Sequence, residues 1–131
     1  MSVTKNRSGN ALPVHLGLEP FSVFAYSELA AHPLFEPGVC ANPCCSKPFV
    51  PKRAWQEYCS AECRQKDDQE FRAFGLKVSR ALLAHRMGKH PGENQSLRNL
   101  ARAGRRYYSE AQTALLNSRL ERIKAARSFD E

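Results

Sequence analysis

The chain lacks the features of a membrane protein and of the common enzyme classes. None of its segments approaches the ~18 uninterrupted apolar residues of a membrane-spanning helix. Its start, MSVTKNRSGN, has no apolar core of a secretory signal. It contains no glycine-rich phosphate loop, no H-E-x-x-H and no G-x-S-x-G, and its four histidines fall in no metal or nucleophile motif. We therefore expect a soluble, cytoplasmic protein that contacts no membrane and is not an enzyme.

Acidic residues are in deficit, and the deficit is uneven along the chain. The sequence has 20 Lys and Arg against 13 Asp and Glu, a formal net charge of +7. Residues 1–39 carry a net charge of −1, residues 40–66 carry +3 and residues 67–131 carry +5. A basic domain attracts polyanions, most commonly nucleic acid, or an acidic protein surface.

The cysteines are few, odd in number and clustered. All five lie between Cys40 and Cys63, and in a reducing compartment such a cluster suits a metal better than disulfides. Zinc takes four ligands in a tetrahedron, and an iron–sulfur cluster would use the same thiols. Cys59 and Cys63 form one pair. The other pair is Cys40 with Cys44 or Cys45, and the spacing alone does not choose between them.

The C-terminal half is predicted to be helical. After Ser60, which can cap a helix, apolar residues recur every three or four positions, and Gly88 fits a C-terminal cap. Ser96 can cap a second long helix. The short connection predicts an antiparallel pair of long helices over residues 67–128, with Gly104 allowing close packing. The apolar stripe over residues 97–123 could also pair two copies as a homodimer.

The N-terminal third differs in character. Residues 1–11 are polar without periodicity, and we expect a disordered tail. Residues 12–39 form an apolar segment punctuated by prolines, in which a short helix near residues 20–31 fits the spacing. Residues 12–36 could dock a partner protein. We favour the alternative that their aromatic residues cover the rest of a molecule with little core.

The stretch CSKPFVPKRAWQEYCSAECRQK resembles the treble-clef zinc fingers of bacteria and phages, written C-G-K-P-F, a basic hairpin, then Y-C-S-x-x-C-R-x-K. The resemblance covers residues 40–66 and implies a knuckle, a short β-hairpin and a helix around one structural Zn²⁺. In that pattern the cysteine that begins CSKPF is a ligand. The implied ligand set is therefore Cys40, Cys45, Cys59 and Cys63. Ser46 stands where the pattern has glycine.

The predicted fold class is thus small α+β, mostly α: a treble-clef zinc finger followed by two long helices. The cations on or beside the finger are predicted to contact phosphates: Lys47, Lys52, Arg53, Arg64 and Lys66. We expect Trp55 in the core, the alternative being stacking on an unpaired base. The predicted function is a small regulatory nucleic-acid-binding protein of bacterial or phage type, with DNA ahead of RNA by prior only. The alternative is a zinc-scaffolded protein–protein adaptor that binds no nucleic acid.

Overall fold

A computed structural model of the chain describes residues 13–129. The predicted tail over residues 1–11 lies outside them. The chain divides into two compact units, with the boundary between Leu34 and Phe35. The described elements are a 3₁₀ helix at Val14–Gly17 and four α-helices: α1 (Phe21–Phe24), α2 (Tyr26–Ala31), α3 (Ala61–Met87) and α4 (Gln95–Phe129). Across residues 13–129, every helix is too short or too polar to cross a membrane.

The first unit contains two very short helices. The carbonyl of Pro20 accepts hydrogen bonds from the N–H groups of Val23 and Phe24, both at 2.9 Å, and so begins α1. The helix is interrupted at Ala25, whose φ of −105° and ψ of 34° separate α1 from α2. The single short helix expected near residues 20–31 is therefore two helices. Most of the large apolar side chains of this unit are exposed: Leu16, Leu18, Phe21, Val23, Phe24, Tyr26 and Leu34.

The predicted fold class is wrong in its β part. No strand, sheet or β-hairpin occurs in residues 13–129, and the single pairing of this kind is an isolated bridge between Val39 and Pro48. The treble-clef arrangement implied by the resemblance is therefore not what this chain adopts. Pro48 and Pro51 each lack the N–H that a strand ladder requires. Val50 and Trp55 are 90% and 74% exposed, so the segment also lacks a buried face on which a hairpin could rest.

Side-chain hydrogen bonds close the segment between Pro51 and Tyr58 in place of a ladder. The side-chain oxygen of Gln56 accepts from the N–H of Lys52 at 2.8 Å, and its amide nitrogen donates to the carbonyl of Tyr58 at 2.8 Å. The N–H of Gln56 donates to the carbonyl of Arg53 at 3.0 Å. Gln56 therefore holds this loop in one conformation.

The long helices begin and end on identifiable caps. The predicted cap at Ser60 is confirmed, since its hydroxyl accepts from the N–H of Cys63 at 3.2 Å. The predicted C-terminal cap at Gly88 is also confirmed. The predicted cap at Ser96 is wrong, because α4 begins at Gln95. Asn94 occupies the cap position, and its side-chain oxygen accepts from the N–H of Leu97 at 3.0 Å.

The long helix pair that the sequence predicts is present, and α3 and α4 lie antiparallel. A Cβ added to Gly104 would stand 2.4 Å from the carbonyl oxygen of Ala81, and one added to Gly88 would stand 2.2 Å from the Cβ of Ala101. The helices therefore approach closely at both glycines, as expected for Gly104. The rings of His85 and Tyr108 pack edge to face at 5.6 Å.

Candidate metal centre

Four cysteine sulfurs converge where the N-terminus of α3 meets the preceding loops. The sulfurs of Cys40, Cys45, Cys59 and Cys63 all lie within 4.8 Å of one another. The separation is 3.8 Å from Cys45 to Cys59 and 3.7 Å from Cys59 to Cys63. All are free thiols in the structure, and the cluster could hold a metal ion.

These distances fit a tetrahedral zinc site. Thiolates bound at about 2.3 Å to Zn²⁺ in a tetrahedron lie about 3.8 Å from one another. The sulfur–sulfur distances from Cys59 to Cys45 and from Cys59 to Cys63 match this expected separation. The same four thiols are the set that the resemblance implies. Their assignment as ligands remains a prediction.

The loop Cys40–Lys47 supplies two of the four sulfurs, and Asn42 organises it. The backbone carbonyl of Asn42 accepts from the N–H groups of Cys45 at 2.9 Å and Ser46 at 3.0 Å, while its side-chain oxygen accepts from the N–H of Cys44 at 3.1 Å. The N–H of Cys40 donates to the carbonyl of Lys47 at 2.8 Å and closes the loop. This turn directs Cys45 into the cluster and leaves Cys44 exposed outside it.

Ser46 shows why the resembled pattern has a glycine at this position. Its φ of 50° lies in the left-handed region, where a residue with a Cβ is disfavoured by about 1 kcal/mol. The buried hydroxyl of Ser46 donates to the carbonyl of Pro43 at 3.1 Å. This hydrogen bond offsets part of the backbone strain, so the turn forms without glycine.

The other two sulfurs are positioned by the first turn of α3. Cys59 precedes the Ser60 cap and Cys63 lies one turn further on. The N–H of Cys59 donates to the sulfur of Cys40 at 3.4 Å, which joins the two halves of the site. The positive end of the helix dipole favours negative charge on sulfurs placed here.

The protonation of the thiols follows from their surroundings. Burial raises the pKa of Cys40 to about 12 and also raises the pKa of Cys45. Burial acts in the same direction on Cys63, but hydrogen bonds from Asn42 and Ser60 outweigh it and lower the pKa of Cys63 to about 7. Metal ligands are thiolates, so binding of a metal by Cys40 and Cys45 would release protons and would weaken as the pH falls.

A buried arginine connects this site to both long helices. Arg119, in α4, donates to the two carboxylate oxygens of Asp67 at 2.6 and 3.1 Å and to Glu70 at 2.8 Å, both in α3. It also donates to the carbonyl of Ala41 at 3.0 Å, inside the Cys40–Lys47 loop. One side chain therefore holds α3, α4 and the cysteine loop together.

Further groups surround this guanidinium. Asp67 is 2% exposed and also accepts from the hydroxyl of Tyr58 at 2.6 Å. The ring of Phe71 lies 4.8 Å and that of Phe35 lies 5.5 Å from the central carbon of the Arg119 guanidinium. Burial lowers the pKa of Arg119, but Asp67 and Glu70 outweigh it and hold that pKa above its ordinary value. We call Arg119, Asp67, Glu70 and Tyr58 the Arg119 cluster.

The sequence analysis missed the Arg119 cluster, although a signal for it exists. On α4 the residue four positions after Leu115, and therefore on the same helix face, is Arg119. The sequence analysis continued the apolar stripe to Leu120 instead. Leu120 is 54% exposed and Arg119 is buried in the structure. On α3, Asp67 follows Cys63 by four residues and therefore shares its face.

All five cations predicted to contact phosphates are exposed, but they do not form one group. Lys52, Arg53 and Arg64 line a single open concavity of about 620 Å³ beside Cys59 and the start of α3. Lys66 lies on the other side, near Cys44 and Cys45, and is paired with Glu62 at 3.5 Å. The carbonyl of Lys47 belongs to the cysteine loop, while its side chain points into solvent.

Trp55 also lines this concavity, and the expectation that it lies in the core is wrong. Its side chain is 74% exposed, and the guanidinium of Arg53 lies 5.7 Å from its ring centre. One carboxylate, Glu57, is part of the same lining. We call the surface formed by Lys52, Arg53, Trp55, Glu57 and Arg64 the Trp55 concavity.

A second group of cations lies at the opposite end of the helix pair. A groove of about 370 Å³ there is lined mainly by the basic residues Arg86, Lys89, Arg98, Arg102 and Arg105. Within residues 13–129 these five side chains form no ion pair with a carboxylate. Because α3 has 27 residues, this end groove and the Trp55 concavity are separated by about 40 Å of helix.

Comparisons with known proteins add no relative from which a role could be transferred. Protein-family models, curated proteins and solved structures were compared with the chain, and no significant match was found among them.

Proposed function

We propose that this chain is a zinc-stabilised nucleic-acid-binding protein with a regulatory role. The observation that carries the proposal is the placement of Lys52, Arg53 and Arg64 around one open concavity beside the four-cysteine cluster. Phosphates are the commonest partners of such exposed, convergent cations. We propose DNA ahead of RNA on prior expectation only, because no residue of the chain distinguishes the two.

The metal has a structural role in this proposal. Cys40, Cys45, Cys59 and Cys63 would hold one Zn²⁺, which would fix the loop Cys40–Lys47 against the start of α3. Four thiolates leave no open coordination position for a substrate, so we propose that the chain is not an enzyme. A loop region without a sheet has little core of its own, and binding energy for the ion therefore becomes folding energy.

The end groove supports the same kind of partner. Its five basic side chains have no carboxylate partners among the described residues, so their charge is available to a polyanion. Two cationic surfaces about 40 Å apart suit an extended ligand better than a small one. A nucleic acid of about 12 base pairs would span that distance at 3.4 Å per step.

The test is binding of the zinc-loaded chain to labelled duplex DNA, single-stranded DNA and RNA at several salt concentrations. Affinity is expected to fall steeply with salt, because each phosphate contact releases counterions. Replacing Lys52, Arg53 and Arg64 by Gln should lower the magnitude of the logarithmic salt slope by about 3. As a control, replacing Arg72, Lys77 and Arg80 by Gln removes the same amount of charge from α3, away from the concavity. This variant should change the salt slope less.

Absence of detectable binding to all of these nucleic acids at low salt would contradict the proposal. Equal slopes for the two triple variants would contradict the placement of the phosphate contacts in the Trp55 concavity.

A second candidate function is favoured by the exposed apolar side chains of the first unit. Seven large apolar residues between Leu16 and Leu34 are more than half exposed. The alternative proposal is a zinc-scaffolded adaptor that docks a protein partner through this segment. Removing residues 1–34 retains Phe35 and Glu36, which contact Arg119 and Arg127. The truncated chain should keep its zinc content and lose partner capture, and retained capture would exclude this segment as the docking site.

A further inference from the structure

The chain's single tryptophan is held on the surface by a fixed loop. Trp55 is 74% exposed, although the loop that carries it is closed by three hydrogen bonds of Gln56. These bonds run to Lys52, Arg53 and Tyr58, on both sides of Trp55. The loop therefore presents the indole ring to solvent in a defined position, which lowers the conformational cost of binding a ligand there.

The surroundings of the ring suit a group that is both flat and anionic. Arg53 lies 5.7 Å from the ring centre, and Lys52 and Arg64 line the same concavity. The first residues of α3 also contribute to the lining, and a helix N-terminus favours anions. At about 620 Å³ the concavity lies within the range of about 300–1,000 Å³ typical of small-molecule sites.

From this arrangement we propose that the Trp55 concavity binds an unpaired nucleotide. Its base stacks on Trp55, and its phosphates are contacted by Arg53, Arg64 and Lys52. This inference rests on the proposed nucleic-acid binding and adds the class of ligand. In a duplex, each base is covered above and below by its neighbours, so an indole ring reaches a base face only in a single strand, at a strand end or at a base that leaves the stack.

The balance of charge favours this ligand over an apolar protein segment. Three cations and one carboxylate, Glu57, line the concavity. An apolar segment would leave the cations without partners, whereas a nucleotide supplies a phosphate for them and a flat base for the indole. DNA and RNA share this chemistry, and the experiment therefore includes both.

Tryptophan fluorescence of the full zinc-loaded chain is a direct readout, because Trp55 is its single source. The probes are oligo(dT), oligo(dA), oligo(rU), a blunt-ended duplex and an abasic single strand of the same length and charge. The three natural single strands should quench the fluorescence, and the duplex should quench it less, since its bases are covered except at the two ends. The abasic strand should cause less quenching at equal saturation, since it matches their phosphates and offers nothing to stack.

Variants then measure the contribution of stacking. Trp55→Leu should weaken binding to single strands about 5-fold to 150-fold in an anisotropy assay, because base–aromatic stacking contributes on that scale. Trp55→Phe keeps an aromatic ring and should retain most of the affinity. Both variants should keep the metal content and helical signal of the parent chain, since this side chain is exposed. The abasic strand should bind both variants and the parent alike.

The outcomes separate this inference from the proposed function. No binding of the parent chain to any oligonucleotide overturns both. Salt-dependent binding that is equal for abasic and natural strands, with Trp55→Leu unchanged, overturns the stacking inference and leaves nucleic-acid binding in place. Loss of capture of a protein partner in Trp55→Leu, with oligonucleotide binding unchanged, overturns the inference in favour of a protein ligand.

Discussion

At the scale of single residues, Arg119 shows how burial changes the role of a charge. An exposed ion pair contributes about 0–1 kcal/mol, but removing one partner of a buried pair leaves the other charge desolvated and uncompensated. Arg119 is 9% exposed and Asp67 is 2% exposed. The two groups also satisfy Tyr58 and the carbonyl of Ala41. Removing one member of this pair should therefore cost more stability than removing one member of an exposed pair.

The first prediction is that Arg119→Ala lowers the free energy of unfolding by about 3–5 kcal/mol. The physical reason is the buried carboxylate of Asp67, which loses its main donor. Arg127→Ala removes an exposed pair with Glu36 and should change stability by about 1 kcal/mol or less. Urea unfolding followed by circular dichroism measures both. Similar values for the two variants would contradict the assignment of Arg119 as a buried junction.

At the scale of elements, close packing of α3 on α4 depends on Gly104. A methyl group at this position would lie 2.4 Å from the carbonyl oxygen of Ala81 and 3.1 Å from the Cβ of Ala84, so the helices would have to separate. Gly75, in the middle of α3, has nothing within 4 Å of the same added atom. The two glycines thus differ in packing while both lie inside long helices.

The second prediction uses this contrast. Gly104→Ala should destabilise the protein by about 1–3 kcal/mol through overpacking. Gly75→Ala should stabilise it by about 0.5–1 kcal/mol, because alanine is the better helix former and meets no obstacle. Thermal unfolding of the two variants beside the parent chain measures the difference. A stabilising Gly104→Ala would show that the helices do not touch there.

The sequence predicted the elements better than the loops, for a physical reason. Helix periodicity and the caps at Ser60 and Gly88 are local signals, and both caps form as expected. The choice of Asn94 over Ser96 depends on which side chain reaches an orphan N–H, and the two residues are nearly equivalent as caps. The pattern around Cys45 and Cys59 suggested a β-hairpin, but prolines and the side chain of Gln56 determine that loop.

The candidate site was predictable from the sequence in part. Cysteine spacing and the resembled pattern identify four thiols that the structure brings together. The Arg119 cluster was missed, because arginine is usually exposed and its partner Asp67 lies 52 residues away. Trp55 was assigned to the core because large aromatic residues are usually buried. In the structure its loop has no buried face, and the side chain is exposed.

At the scale of the whole molecule, hydrogen bonds join the four-cysteine cluster to the helix pair. The hydrogen bond from Arg119 to the carbonyl of Ala41 links α4 to the cysteine loop, and Tyr58 links that side to α3 through Asp67. A perturbation of the loop therefore reaches both long helices through Arg119 and Asp67. α3 and α4 nonetheless have contacts of their own at Gly88 and Gly104.

The third prediction concerns metal removal. A chelator should lower the thermal midpoint of helix unfolding by ~10 °C or more, because a ligand at 1,000 times its dissociation constant adds about 4 kcal/mol to stability. The helical signal at low temperature should largely remain, since α3 and α4 lie outside the cysteine loop. Circular dichroism during heating, with and without chelator and after zinc is restored, measures both effects. An unchanged midpoint would show that the loop and the helices unfold independently.

The fourth prediction concerns association. Within the stripe 97–123, Leu116 and Leu120 lie one helical turn apart on α4, and both are more than half exposed. We propose that a second copy covers this face. Sedimentation should give twice the chain mass of 14.8 kDa. Leu116→Glu should restore the monomer, while Leu83→Glu, on α3, should not. A monomer mass at every concentration would exclude the dimer.

Cys44 gives the protein a built-in attachment point. Its thiol is exposed, stands next to Cys45 and lies outside the four-sulfur cluster. In the proposed zinc-loaded protein the other four thiols would be shielded as ligands, so maleimide dyes would couple at this one position. A fluorophore there would sit beside the cysteine loop without replacing any of its sulfurs, and mass spectrometry after labelling would count one adduct.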